Sequence, residues 1–250
     1  MSNAGGMQVT VLTIAGSDSG GGAGIQADLA TFAHFGVRGT TAITAITAQN
    51  SRGVRAWSAV DPALVRAQID AVAEGEAPRA VKSGMLANAA IVATVADALS
   101  AHALGPYVLD PVTVAGTGQA LADGDLMPAI LARLVPLADL VTPNLAEAEA
   151  LTGEPVRDVE SMARAARALI QQGARAALVK GGHLDGDVAV DVLCDANGVR
   201  YFERARVRVK THGTGCRLSA AIAAGLALGA PLDAAVEAAG DFVHRVISAR

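Results

Sequence analysis

The stretch VTVLTIAGSDSGGGAGIQADLATFAHFG, residues 9–36, decides how the rest of the chain is read. Residues 9–15 are a continuous apolar and β-branched run that ends at Gly16, the pattern of a parallel strand covered on both faces. Residues 23–35 place Ile25, Leu29 and Phe32 along one helical face, and Gly36 stops the helix. A strand, a glycine-rich turn and an amphipathic helix in that order open a βαβ unit.

Outward from that unit the alternation repeats. Strands are expected at 37–48, 55–60, 80–83, 107–110, 137–142 and 176–180. One helix starts at Asp61-Pro62, with proline in the first helical position, and others cover 89–103, 126–134, 145–151 and 161–172. Residues 188–193 and 199–209 read as two strands around Asp195-Ala196-Asn197-Gly198. Ala-rich helices at 218–228 and 232–246 finish the chain. The pattern predicts an α/β three-layer sandwich: a mostly parallel central sheet, helices on both faces, and a small antiparallel edge from the late hairpin. No linker, low-complexity tract or repeat divides residues 7–250, so one domain is expected. Residues 1–6, opening Met1-Ser2-Asn3-Ala4, read as a cloning remnant, with native sequence starting near Met7.

Hydrophobic residues make up 52% of the 250 but aromatics only 3%, so the core must be packed from Ala, Val, Leu and Ile. A net charge of −4 and scattered basic residues leave no footprint for nucleic acid. No apolar run approaches the roughly 18 residues of a membrane span, and no signal-peptide pattern opens the chain. The two cysteines, Cys194 and Cys216, lack metal-ligand spacing. A reducing, cytoplasmic setting is the simplest expectation.

In such a sheet, ligands bind beyond the carboxyl ends of the strands, and five of those positions are unusual. Gly16-Ser17-Asp18-Ser19-Gly20-Gly21-Gly22-Ala23-Gly24 precedes a helix, where backbone N–H groups can face an anion; a flexible turn is the equal alternative, and Gln26 and Asp28 beside it favour a ligand. His212-Gly213-Thr214-Gly215-Cys216 precedes another helix and forms an anion cradle, with Cys216 in a first turn that would lower a thiol pKa; a small buried hydrophobe is the other reading of this cysteine. Asp110-Pro111 offers a carboxylate for Mg2+ or a turn former. In Thr142-Pro143-Asn144-Leu145-Ala146-Glu147, Asn144 and Glu147 form a capping box, which also leaves Glu147 near a metal. Lys180-Gly181-Gly182-His183 ends an apolar strand with a point charge for phosphates. An anion loop, a lysine and two carboxylates along one edge suit phosphoryl transfer, which is mostly positioning and charge neutralisation.

With these motifs assembled, the chain resembles the hydroxymethylpyrimidine/phosphomethylpyrimidine kinases of thiamine biosynthesis, in the ribokinase-like superfamily. The likeness runs from Thr13 to the last helix. Residues 14–28 are close to the family signature, and Ala48-Gln49-Asn50-Ser51-Arg52-Gly53-Val54, Ser83-Gly84-Met85-Leu86, Leu109-Asp110-Pro111-Val112, Val179-Lys180-Gly181-Gly182-His183 and Thr211-His212-Gly213-Thr214-Gly215-Cys216 also match. The resemblance implies that Asp28 and Gln49 hydrogen-bond an aminopyrimidine in a pocket shaped by Gly16, Met85 and Val112. It links Asp110 and Glu147 to Mg2+, and assigns Lys180, Thr142, Asn144 and Thr214 to ATP. Gly213 and Gly215 would form the anion hole, with Cys216 beside the acceptor oxygen. A homodimer is implied too. Arg217 departs from the family's usual Thr, and the chain stops at Arg250, short of a Gly- and His-containing segment common in the family. Two alternatives stay open: a pyridoxal kinase of the same superfamily, which shares the acceptor chemistry, and a non-catalytic pyrimidine-binding sensor.

Overall fold

The structure is a computed structural model that describes residues 8–114, 119, 125–182, 184, 186–208 and 213–249. The expected cloning remnant at 1–6, Thr211, His212 and His183 lie outside them. The elements run β1 (Thr10–Asp18), α1 (Gly24–His34), β2 (Arg38–Asn50), β3 (Gly53–Ala59), α2 (Pro62–Gly75), β4 (Ala80–Ser83), α3 (Ala89–Ala101), β5 (Tyr107–Leu109) and α4 (Leu126–Arg133). After a 3-10 turn at Val135–Leu137 come β6 (Leu140–Val141), α5 (Leu145–Thr152), α6 (Val159–Gln171), β7 (Ala177–Val179), β8 (Val188–Asp195), β9 (Gly198–Ala205), α7 (Thr214–Ala227) and α8 (Leu232–Ser248).

Among the described residues the strands form one nine-stranded sheet, ordered β3-β2-β1-β4-β5-β6-β7-β8-β9. Pairing is parallel from β2 through β7 and antiparallel in the β8–β9 hairpin edge. The opposite edge also turns antiparallel, because the short strand β3 folds straight back on β2, with Asn50 opposite Gly53. Alternate residues of each central strand enter different cores, which explains their unbroken apolar runs. Leu12, Val81, Leu109, Val141 and Val179 face α2 to α6. Val11, Ala80, Val108, Leu140 and Leu178 face α1, α7 and α8.

The chain winds outward from β1 in one direction to β2, and from β4 in the other direction to β7. The crevice between the β1 and β4 carboxyl ends is therefore the topological switch point, where open α/β sheets take ligands. β1 does not stop at Gly16 as its sequence predicts. It continues to Asp18 across a register shift between Ala15 and Ser17. The glycine is needed for close packing, since a Cβ there would stand 2.9 Å from Met85 Sδ. The strand expected at 137–142 shrinks to two residues because Pro136 sets a 3-10 turn. Likewise α7 begins at Thr214, four residues earlier than hydrophobic spacing indicates, so Gly215 and Cys216 are helical. Asp61 caps α2 through Ala63 N as expected. No helix among the described residues is long and apolar enough to cross a membrane.

Candidate active site

The glycine-rich turn between β1 and α1 is built around Asp18. Its buried carboxylate accepts the N–H groups of Gly20, Gly22 and Ala23 at 2.8, 2.9 and 2.8 Å. Gln26 Oε1 accepts from Asp18 N at 2.9 Å, and Gln26 Nε2 donates to Ser17 Oγ at 2.8 Å. These amides were expected to face a ligand. Instead they hold the chain's own anion, which also answers the positive end of α1. The turn is a preformed wall.

The first turn of α7 is different. Gly213 caps it in the left-handed region, φ 73°, with no side-chain cap. A Cβ on Gly213 would overlap the Gly22 carbonyl, and Arg217 Nη1 donates to that same carbonyl at 2.8 Å and to Gly213 O at 3.2 Å. Arg217 thus latches the glycine turn to α7. A Cβ on Gly215 would stand 3.1 Å from Lys180 Nζ and 4.0 Å from Asp110 Oδ2. The α7 N-terminus, with its partial positive charge, therefore opens beside these two groups.

Lys180 follows β7, where its N–H bonds Pro143 O and a bridge joins it to Asn144. Its Nζ lies 2.9 Å from Asp110 Oδ1 and 3.9 Å from Glu147 Oε2. Asp110 also approaches Ser219 Oγ at 3.1 Å and Thr142 Oγ1 at 3.4 Å. Burial raises the Asp110 pKa, but the Lys180 and Lys82 charges overcome it and leave it below the ordinary value. Burial lowers Lys180, while Asp110 and Glu147 more than compensate and hold the ammonium charged. Glu147 keeps the reciprocal cap: its Oε2 accepts Asn144 N at 2.7 Å, and Asn144 Oδ1 accepts Glu147 N at 3.0 Å. Burial pushes this carboxyl up to about 7, against the pull of Lys180. The cap and the proximity to the charged cluster coexist.

Cys216 follows Gly215. Burial pushes its thiol pKa up, with Lys82 and the Gly24 N–H opposing and Asp28 and Asp110 adding. The depression expected from a helix N-terminus is absent, because desolvation outweighs it. The remaining expected residues sit around the crevice. Met85 is buried against Gly16. Gln49 is half-buried at the end of β2, its backbone tied to Ser19 Oγ. Val112 adjoins Asp110, donating its N–H to that residue's carbonyl. Thr214 is half-buried in the first turn of α7. Asp28 and Thr142 are completely buried rather than open to the crevice. A cavity of about 480 Å3, lined by Arg167, Gln171, Cys194 and Asp195, lies toward the amino end of β7, since Cys194 pairs with the first residue of that strand; it holds none of these groups.

A model of the family described as phosphomethylpyrimidine kinase matches residues 18–250. The chain belongs to that family. The hydroxymethylpyrimidine/phosphomethylpyrimidine kinase of Rhizobium meliloti is 50% identical over 245 residues, covering 97% of this chain and 92% of its own. Among solved structures, the phosphomethylpyrimidine kinase of Clostridium difficile superposes with a TM-score of 0.86 at 40% identity, covering 96% of this chain and all of its own. A Staphylococcus aureus pyridoxal kinase in complex with AMP-PCP and pyridoxal reaches 0.88 at 32% identity, covering 96% and 87%. Membership in the phosphomethylpyrimidine kinase family bears out the fold and enzyme class that the resemblance implies. Three polar groups of this family member escaped the sequence reading: Asp18, Ser219 and Lys82. Only Lys82 left a signal, as a lysine inside the short strand Ala80–Ser83 that is buried at every position.

Proposed function

We propose that the chain transfers the γ-phosphoryl group of ATP to the hydroxymethyl oxygen of 4-amino-5-hydroxymethyl-2-methylpyrimidine, and then to the monophosphate to give the diphosphate, for thiamine biosynthesis. The observation that carries this reading is the convergence of Lys180, Asp110, Glu147 and Gly215 beside an uncapped helix N-terminus. Phosphoryl transfer needs little covalent help from the protein, but it needs positive potential fixed where charge spreads.

In this reading Lys180 neutralises the nucleotide phosphates as a point charge, with Asn144 and Thr214 on the same side and Thr142 behind them steadying Asp110. The backbone of Gly213 and Gly215 receives the migrating phosphoryl group. Gly16, Met85, Val112 and Gln49 bound the pyrimidine pocket. Two carboxylates gathered around one lysine suit Mg2+, which takes hard oxygen ligands and usually binds through one or two carboxylates plus phosphates. Asp110 and Glu147 would hold it, and it would supply charge neutralisation between the phosphates. Cys216, kept a neutral thiol at pH 7 by burial, lines the hole rather than acting as a ready base. The acceptor proton then leaves late, to the phosphoryl oxygens. A homodimer of one-domain subunits working in the cytoplasm completes the proposal.

A pyridoxal kinase is the second reading, favoured by the close superposition on the Staphylococcus aureus enzyme. A substrate panel with ADP detection separates them. The pyrimidine and its monophosphate should give the higher kcat/KM. A preference for pyridoxal would replace the proposal, and a folded chain that binds the pyrimidine without releasing ADP would make it a sensor.

A further inference from the structure

Lys82 sits in β4 with none of its side chain exposed, and its Nζ stands 2.8 Å from Oδ2 of an equally buried Asp28. Thr13 Oγ1 donates to the same oxygen at 2.7 Å. Asp28 Oδ1 has no hydrogen-bond partner among the described residues. Burial by itself draws the Lys82 ammonium down, but the charges of Asp28 and Asp110 outweigh it and keep the lysine ionised. Buried ion pairs rarely stabilise a fold more than apolar residues of similar volume would. Stability therefore gives no reason for this one.

Its position gives a reason. The pair bridges α1 and β4 across the switch point beside β1. A Cβ on Gly84 would stand 2.9 Å from Lys82 Nζ and 3.3 Å from the Ala15 Cβ, so the residue after β4 leaves the ammonium its space. β4 packs against α7, and the Lys82 charge acts on both Cys216 and Asp110. Two lysine–aspartate pairs thus act on the first turn of α7, Lys180–Asp110 beside Gly215 and Lys82–Asp28 through Cys216.

Resting on the reading that phosphoryl transfer takes place at this turn, we propose that the Lys82–Asp28 pair is a positioning element of the transfer centre. Asp28 and Thr13 pin the ammonium. Its fixed charge sustains, on the acceptor side of the α7 N-terminus, the potential that Lys180 sustains on the nucleotide side. Neither side chain is exposed, so the pair acts through Cys216 and Asp110 rather than by touching substrate.

The test removes both charges together, because a lone buried ion would unfold the site. Two double variants serve, Lys82→Met with Asp28→Asn and Lys82→Met with Asp28→Leu, each assayed beside wild type with ATP and the pyrimidine. An inactive wild type would sink the functional reading itself; an active one puts only the pair on trial. At least one double variant should melt close to wild type, and its kcat should fall about 100-fold with KM for ATP unchanged. A folded double variant that keeps kcat within about threefold overturns the proposal. So does a change confined to KM for the pyrimidine, which would make Asp28 a direct substrate ligand. If neither variant folds, the pair belongs to the fold alone and the proposal falls.

Discussion

Replacing Glu147 with glutamine separates its charge from its part in the helix cap. Glutamine at this position can still accept the Asn144 N–H, so α5 keeps its reciprocal cap. Burial lifts the Glu147 carboxyl from the ordinary 4.5 to about 7, with Lys180 pulling it back and Asp110 adding to the rise. The native chain then binds this proton more tightly than the unfolded chain does. The stability it lends is complete below about pH 4.5 and is lost as the pH climbs through about 7. At about 1.4 kcal/mol for each tenfold difference in proton affinity, the full change is about 3 kcal/mol. Urea unfolding in EDTA at pH 5 and pH 8 reads it directly. Wild type should lose about 2 kcal/mol more than E147Q between the two. Mg2+ with a non-hydrolysable ATP analogue should stabilise wild type more than E147Q at pH 8, because the proposed ligation requires the ionised carboxylate. Equal pH slopes in the two proteins would refute the placement of Glu147 in a desolvated, charge-coupled site and leave it a cap alone.

Cys216→Ala should lower kcat at least tenfold by opening the acceptor side of the hole, with KM for ATP unchanged in steady-state assays. An unaltered rate would mean that the backbone amides suffice. Gly215→Ala puts a methyl 3.1 Å from Lys180 Nζ, and a lysine displaced by about 1 Å should reduce kcat about 100-fold with little change in melting temperature. Asp18→Asn removes the charge that gathers three loop N–H groups and should cost about 2 kcal/mol in chemical unfolding. A variant as stable as wild type would show that the glycine turn holds itself.

The groups legible in the sequence are those that stand just past an apolar strand. Asp110 and Lys180 each follow such a run and meet at 2.9 Å, because parallel strands deliver their carboxyl ends to one edge. The capping spacing of Asn144 and Glu147 was equally plain, since it is a local pattern with local physics. The illegible features depend on partners far along the chain. The return of β3 onto β2 rests on a two-residue turn rather than on hydrophobic period. The amides of the glycine turn read as facing a ligand until the geometry shows that they close on Asp18 of their own loop.

Lys82 is the extreme case. Nothing within four residues of it explains a charge in a strand covered on both faces, because its partner is 54 positions earlier. A pattern reading treats such a lysine as evidence of an exposed edge, whereas β4 lies between β1 and β5. The conflict between local pattern and buried location is itself informative. A sequence that sets a charge where an apolar residue would serve the core as well has traded local consistency for something else, and such trades gather at functional sites. The fold therefore follows from periodicities within single elements, while the electrostatics of the crevice follow from pairs that only the winding of the sheet brings together.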